Sequence, residues 1–199
     1  LVTTPEITGP DAPIVYQGTY ANEYSFTASP TLAGNTISSF LVDVSGIGTQ
    51  VITAADNAGT YTLKIPTTIS AGTKLDMYVT ATDSQGWKSS PAYKQLTVVE
   101  PYVKVPTVVK PTEGQEVIAI NFDIQSSTFA AEGLEDTCSK TEFQIQNSSG
   151  TTVYTKELTG ATYIATITDA NLQRGVLYRI RCRQTGTTIT TPSEWSAFV

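Results

Sequence analysis

The chain has no histidine. That absence removes the Ser-His-Asp and Cys-His triads and, with them, the commonest metal ligand. Charge is scarce: Asp, Glu, Lys and Arg make up 15% of the 199 residues, well below the roughly 25% of ordinary soluble domains. Thr, Ser, Gln and Asn take their place, and threonine-rich, lysine-poor strands suit an extracellular or virion surface. With a net charge of −6, the chain has no basic field for phosphate, so nucleic acid is not an expected partner. The one basic cluster, Arg174 to Arg183, reads as the wet face of a single strand. No apolar run approaches the ~18 residues of a membrane helix, and no charged-then-apolar leader opens the chain. Membrane insertion is therefore not expected. The chain starts at Leu1 rather than Met and stops at Val199 in what reads as mid-strand, as a piece of a longer or processed polypeptide would.

Cysteine is nearly absent too. Cys138 and Cys182 are the only two, and they form the candidate disulfide. In a secreted sandwich such a pair often bridges the sheets, with a Trp between the cysteines in immunoglobulin domains. Here Trp195 follows both. Cys182 has inward parity with Tyr178 and Ile180, whereas Cys138 is out of step with Phe143 and Ile145. A Cys138–Cys182 bridge and two unrelated thiols both stay open.

What the chain does have is alternation. In Val176 to Gln184, Tyr178, Ile180 and Cys182 alternate with Arg179, Arg181 and Arg183, the period of two that a half-buried β-strand uses. A turn region and a closing strand, Ser193 to Val199, follow. An earlier stretch repeats this design: Leu75 to Thr82, the turn Asp83 to Gly86, then Trp87 and a strand from Tyr93 to Val99. Two copies imply two modules, and the length suits two domains of about 100 residues. The expected fold is all-β, two tandem immunoglobulin-like or fibronectin type III-like β-sandwiches, over 1–100 and 101–199.

In the first module, strands are expected at Glu6 to Thr8, Asn22 to Ala28, Ile37 to Val44, Gln50 to Ala54, Tyr61 to Ile65, Thr73 to Thr82 and Tyr93 to Val99. Turn signals separate them, among them Asp56-Asn57-Ala58-Gly59. This density of short strands is the pattern of a sandwich. Within Val99 to Pro106, Pro101 and Pro106 bracket a short extended segment, which reads as a stiff linker holding the modules end to end with limited bending. In the second module, strands are expected at Val117 to Gln125 (with Ile118, Ile120, Phe122 and Ile124 on one face), Thr141 to Gln146, Thr152 to Leu158, Tyr163 to Ile167, Leu177 to Gln184 and Ser193 to Val199. Asn147-Ser-Ser-Gly150 reads as a hairpin turn that also spells a glycosylation acceptor. Asp169 to Gly175 reads as a helical turn or loop, with Leu172 plugging the core below a tyrosine corner at Tyr178.

The order of features in the second module resembles fibronectin type III domains. More narrowly, Ser126-Ser-Thr-Phe129, Gly133, Asp136-Thr137, Thr141 to Gln146, Tyr154, Leu172, Tyr178 to Arg181 and Ser193 to Phe198 resemble the fibronectin-like repeat of tail-fibre and other virion appendage proteins of tailed bacteriophages. Where that family commonly has a His after the Asp-Thr pair and a Trp near Phe143, this chain has Cys138 and Phe143 themselves. The first module is similar to bacterial or viral immunoglobulin-like domains through Tyr78 to Gly86.

Chemistry is hard to place. Glu132, Glu135 and Asp136 cluster as paired glycosidase carboxylates would, but in a loop, where a solvated acidic segment accounts for them. Asp56 with Asn57, or Asp83 with Glu100, could offer oxygens to Ca²⁺, yet no spacing matches a calcium loop. No catalytic residue, metal site or cofactor is assigned. Trp87 at a turn tip, with Tyr16 and Tyr20 and the nearby Tyr24, are candidate ligand contacts, since exposed aromatics stack on sugar faces. The alternative is that Trp87 folds back on the domain edge and the tyrosines cap strand ends. The resemblance implies a non-enzymatic structural or adhesive module of a phage virion, in a tail fibre or tail-associated protein. Its partners would be other virion structural proteins, a host-surface glycan or protein, or further copies of itself. The alternative placement is a bacterial secreted or cell-surface adhesin stalk, or the accessory module of a carbohydrate-active enzyme.

Overall fold

The structure, a computed structural model, describes residues 1–10, 14–18, 20–116, 121–168 and 172–199. It is all-β, with sixteen strands and no helix among the described residues, and it divides into two compact units, Leu1–Glu100 and Pro101–Val199.

The first unit runs through β1 (Glu6–Thr8), β2 (Ile14–Tyr16), β3 (Asn22–Thr27), β4 (Ile37–Val44), β5 (Gly48–Thr53), β6 (Ala58–Leu63), β7 (Lys74–Asp83) and β8 (Ala92–Val99). One sheet has the order β1-β3-β6, the other β2-β8-β7-β4-β5. Period-two sequence decides what fills the space between them: Tyr24 and Phe26 of β3 face Phe40 and Val42 of β4 and Met77 and Val79 of β7, all buried. Phe26 and Phe40, one from each sheet, meet with ring centroids 5.8 Å apart.

The first strands split between the sheets. β1 pairs antiparallel with β3, while β2, which is not anticipated from the sequence, runs parallel to β8. Buried Asn22 ties this crossing together. Its Oδ1 accepts from the Tyr16 N–H at 3.0 Å, and its Nδ2 donates to the carbonyls of Tyr16 at 3.2 Å and Leu63 at 3.0 Å. The Asp56-Asn57 turn is a two-residue reversal with φ of +50° and +62°, closed by reciprocal Ala55–Ala58 hydrogen bonds of 2.8 and 2.9 Å, the mirror-image turn that Asn tolerates. Asn57 Oδ1 is occupied by the Ile37 N–H at 2.7 Å, so its side chain serves the fold.

The second unit comprises β9 (Tyr102–Val103), β10 (Val108–Lys110), β11 (Phe122–Ser126), β12 (Ala131–Glu132), β13 (Cys138–Asn147), β14 (Thr152–Thr159), β15 (Ile164–Ile167) and β16 (Tyr178–Gly186). Its sheets are β10-β11-β15 and β14-β13-β16, with β9-β12 as a small pair. The core gathers Ile124, Phe143, Ile145, Ile167, Ile180 and Cys182, with Leu172, Tyr178 and Val199 packed against it. Tyr178 forms the expected corner, its hydroxyl accepting from the Gln173 N–H at 2.9 Å. The Asn147 turn closes through the Gly150 N–H and Asn147 carbonyl at 3.0 Å, and Asn147 Oδ1 accepts from the N–H groups of Ser149 and Thr151. Gly150 takes the φ of +82° there.

Three readings are revised by the structure: the linker, the parity of Cys138 and the last strand. The proline-bracketed segment, read as a stiff linker between the modules, belongs to the second unit from Pro101 onward: Tyr102–Val103 pairs with Ala131–Glu132, and the Lys104 N–H bonds the Ala130 carbonyl at 2.9 Å. Cys138 and Cys182 are both free and buried. A bulge between Cys138 and Lys140 reverses the parity and turns Cys138 inward. Across the ladder, however, Cys138 faces Gly186 while Cys182 faces Phe143. Four residues of strand, about 13 Å, separate them along the sheet, well beyond the roughly 7 Å Cα limit for a bridge.

The third correction is Ser193 to Val199, which follows β16 without being a regular strand. Ser193, Ser196 and Val199 bond Gln184, Cys182 and Ile180 in turn, so three residues advance for every two of β16. The Oγ atoms of Ser193 and Ser196 accept the Gln184 and Cys182 N–H groups at 3.1 and 3.0 Å, where a strand would offer carbonyls. The segment has a period of three, not two. The residues expected to strengthen Val117 to Gln125, namely Ile118 and Ile120, lie outside the described residues, as does the first part of the Asp169 to Gly175 turn.

Candidate functional site

The structure scatters the aromatic residues singled out from the sequence. Tyr24 lies in the first core; burial pushes its pKa up to about 12, and its hydroxyl has no hydrogen-bond partner among the described residues. Tyr16 is buried and meets the half-exposed Tyr20 edge-on at 5.1 Å, which withdraws Tyr16 from any contact surface. Trp87 is 59% exposed. It is carried outward by a turn built on Asp83, whose carboxylate accepts from the Trp87 N–H at 2.9 Å, the Gln85 N–H at 3.0 Å and Asn35 Nδ2 at 2.8 Å. Burial opposes ionisation of Asp83, but these bonds outweigh it and hold the carboxyl below its usual range.

Of the three carboxylates considered for glycosidic chemistry, Asp136 and Glu132 are part of the scaffold and Glu135 is exposed. Asp136 accepts from the Thr187 hydroxyl at 2.6 Å and from the N–H groups of Thr137, Thr188 and Ile189 at 2.8 to 3.0 Å. Burial again opposes ionisation, and this set of donors overrides it, keeping the carboxyl well below the ordinary aspartate range. Gly186 is required beside it, because a Cβ there would run into the Asp136 carboxylate. Glu132 instead pairs with Lys104. Among the described residues, no three acidic or cysteine side chains gather as a metal ion would need.

An aromatic site that the sequence reading passed over lies on the outer face of the five-stranded sheet. Tyr78 of β7 and Tyr93 of β8 stand opposite each other in the ladder. Their ring centroids are 5.2 Å apart and their planes inclined by 38°. The two are 43% and 55% exposed. One row along, Asp76 faces Gln95. Asp76 Oδ1 accepts from the Tyr93 hydroxyl at 2.8 Å and from Gln95 Nε2 at 3.2 Å, which fixes the Tyr93 ring in place. The Tyr93 and Gln95 bonds hold the Asp76 carboxyl below its usual range, and the same bond to Asp76 raises the Tyr93 phenol. Asp43 of β4 continues the tyrosine row, and Thr80, Leu41 and Val51 form the next. The signal was present in the sequence: Tyr78 occupies the wet parity of β7, out of phase with Leu75, Met77, Val79 and Ala81.

The second unit treats its outer face in the opposite way. The rings of Phe198 and Trp195 alternate with the guanidinium groups of Arg179, Arg181 and Arg183, at 4.3 to 4.9 Å. On their other side the arginines bond β13: Arg179 to Gln146, Arg181 to Gln144 at 2.7 Å, and Arg183 to Glu142 at 2.9 and 3.1 Å. The strand face read as simply solvated is thus a stacked ladder. The period of three in the last segment is what brings Trp195 and Phe198 to the same side.

No family model matches the chain, and no curated protein matches it by sequence. Among solved structures it is similar to the chicken CNTN1 FN1-FN3 domains, with 13% identity and a TM-score of 0.36 over 99% of this chain; it spans 62% of that one. It is also similar to the fibronectin(III)-like modules of Clostridium thermocellum CbhA, with 14% identity, 94% and 90% coverage and a TM-score of 0.35. A two-domain fibronectin type III segment of chicken tenascin gives 13% identity, 100% and 95% coverage and a TM-score of 0.34. The fold assignment rests on the sheets themselves: the chain is a tandem pair of immunoglobulin-like and fibronectin type III-like β-sandwiches.

Proposed function

We propose that the chain is a non-catalytic structural and adhesive segment of a larger surface assembly, and specifically of a tailed-phage virion, in a tail fibre or tail-associated protein. The observation that carries the adhesive part is the rigid, exposed Tyr78–Tyr93 pair on the five-stranded sheet. Of the carboxylates weighed for chemistry or calcium, Asp83 and Asp136 accept from turn N–H groups and Glu132 pairs with Lys104. In such a role the faces of the two sandwiches supply contacts to other virion subunits or to a host surface. The virion placement draws on the second unit's resemblance at Asp136-Thr137 and Ser193 to Phe198. Imaging of intact particles with antibody against the chain tests it. Labelling at defined, symmetry-related positions is the expected result. Labelling of bacterial surfaces without particles would replace it with a secreted or cell-surface adhesin.

A further inference from the structure

We infer that the outer face of the five-stranded sheet is a binding platform for neutral sugar rings, centred on Tyr78 and Tyr93. The inference deepens the adhesive reading and rests on it. Two adjacent half-exposed rings form a continuous apolar surface with polar hydroxyl edges, the surface that the C–H face of a pyranose covers. The flanking groups are those that hydroxyl groups need. Asp76 uses only Oδ1 for Tyr93 and Gln95, leaving Oδ2 to accept from a ligand, and the Gln95 amide lies beside it. Asp43 faces Tyr78 from the other side.

Charge narrows the ligand class. Asp43 and Asp76 outnumber Lys74, the only cation at an outward position on β4, β5, β7 and β8 among the described residues, so the face accepts hydrogen bonds and repels carboxylated or sulfated sugars. The Asp76–Tyr93–Gln95 network pre-orders the site, so that binding immobilises little on the protein side. The open sheet surface, with Leu41 and Val51 exposed in the next row, fits an extended polysaccharide rather than a single enclosed sugar.

Affinity electrophoresis of the full chain through gels containing β-1,4-glucan, mannan or galactan, with polygalacturonate as the charged control, tests this. The expected result is retardation by at least one neutral polymer and none by polygalacturonate. Tyr78→Ala and Tyr93→Ala should each weaken retardation by roughly tenfold, with Trp87→Ala unchanged and thermal unfolding of all three as in the parent. Lack of retardation by every neutral polymer, or retardation that survives both tyrosine substitutions, overturns the platform. So does a change in sedimentation on Tyr78→Ala without any sugar retardation, which would make the face a protein interface. A chain that labels particle surfaces yet ignores all the sugars loses the platform and keeps its adhesive role. One that is retarded through the tyrosines but absent from any surface keeps the platform and loses that role.

Discussion

The two tryptophans, one per unit, meet opposite fates. Trp87 stands on a turn with its ring in solvent, whereas Trp195 is inserted between Arg181 and Arg183. The outer sheet faces differ in the same way. In the first unit, Tyr78 and Tyr93 lean on each other and stay open; in the second, Trp195 and Phe198 beside β16 stack on guanidinium groups that are themselves held by β13. Planar cations can cover an aromatic face while keeping their own hydrogen bonds, and a sheet that lacks them leaves its rings available. One face is therefore finished within the molecule, and the other is open to a partner.

That contrast is sharpest if the tryptophans are removed in turn. Trp195→Ala loses two cation–π contacts and uncovers the Arg181–Arg183 face, and should destabilise the second unit by about 2–3 kcal/mol. Trp87→Ala should stay within about 0.5 kcal/mol of the parent. Urea unfolding followed by far-ultraviolet circular dichroism distinguishes the two outcomes. Equal costs would mean that the ladder is ornamental or that the Trp87 turn is packed in solution.

Next in size is Asp136, the anchor of the loop after β16. Its native pKa is depressed below the unfolded value, so its contribution is fully present above about pH 5 and is lost as the pH falls through the native value. Asp136→Asn should cost about 1–2 kcal/mol at neutral pH, allowing for partial exposure. It should also flatten the acid limb of the stability curve below about pH 4. An acid limb unchanged by the substitution would show that other carboxylates govern it.

Arg181→Lys keeps the charge but gives up the planar stack between Trp195 and Phe198 and the Nε hydrogen bond to Gln144. A loss of about 1 kcal/mol in the same urea experiment is expected. A neutral result would show that the ladder needs only positive charge.

Much of this architecture is legible as period two. The alternations at Tyr24 and Phe26, at Leu75 to Ala81 and at Phe143 and Ile145 place the buried faces directly. What the sequence hides is whatever departs from that period. The three-residue strand Ile14–Tyr16 is too short to show a pattern. The bulge at Cys138 reverses a parity that looks wrong on paper. Ser193 to Val199 alternates in threes, so an expected strand turns out to be the element that carries Trp195 and Phe198 onto the arginines. Clustering in sequence singled out Tyr16, Tyr20 and Tyr24 beside Trp87; the fold buries Tyr16 and Tyr24 and leaves Trp87 and Tyr20 exposed. Tyr78 and Tyr93 are 15 residues apart in the chain and become neighbours only through the β7–β8 register.

The smallest effect bears on the open face alone. Tyr93→Phe removes the hydroxyl that Asp76 accepts and leaves the ring. Both groups sit at the surface, so global stability should not change measurably. The local electrostatics should change: without its first hydrogen bond, the Asp76 carboxyl titrates upward toward an ordinary aspartate, retaining only the bond from Gln95. Side-chain carboxyl titration by NMR reads this directly. An Asp76 midpoint that does not move would mean that the Tyr93 ring is not held in solution, and the pre-ordering of the exposed face would then have to come from packing against Tyr78 alone.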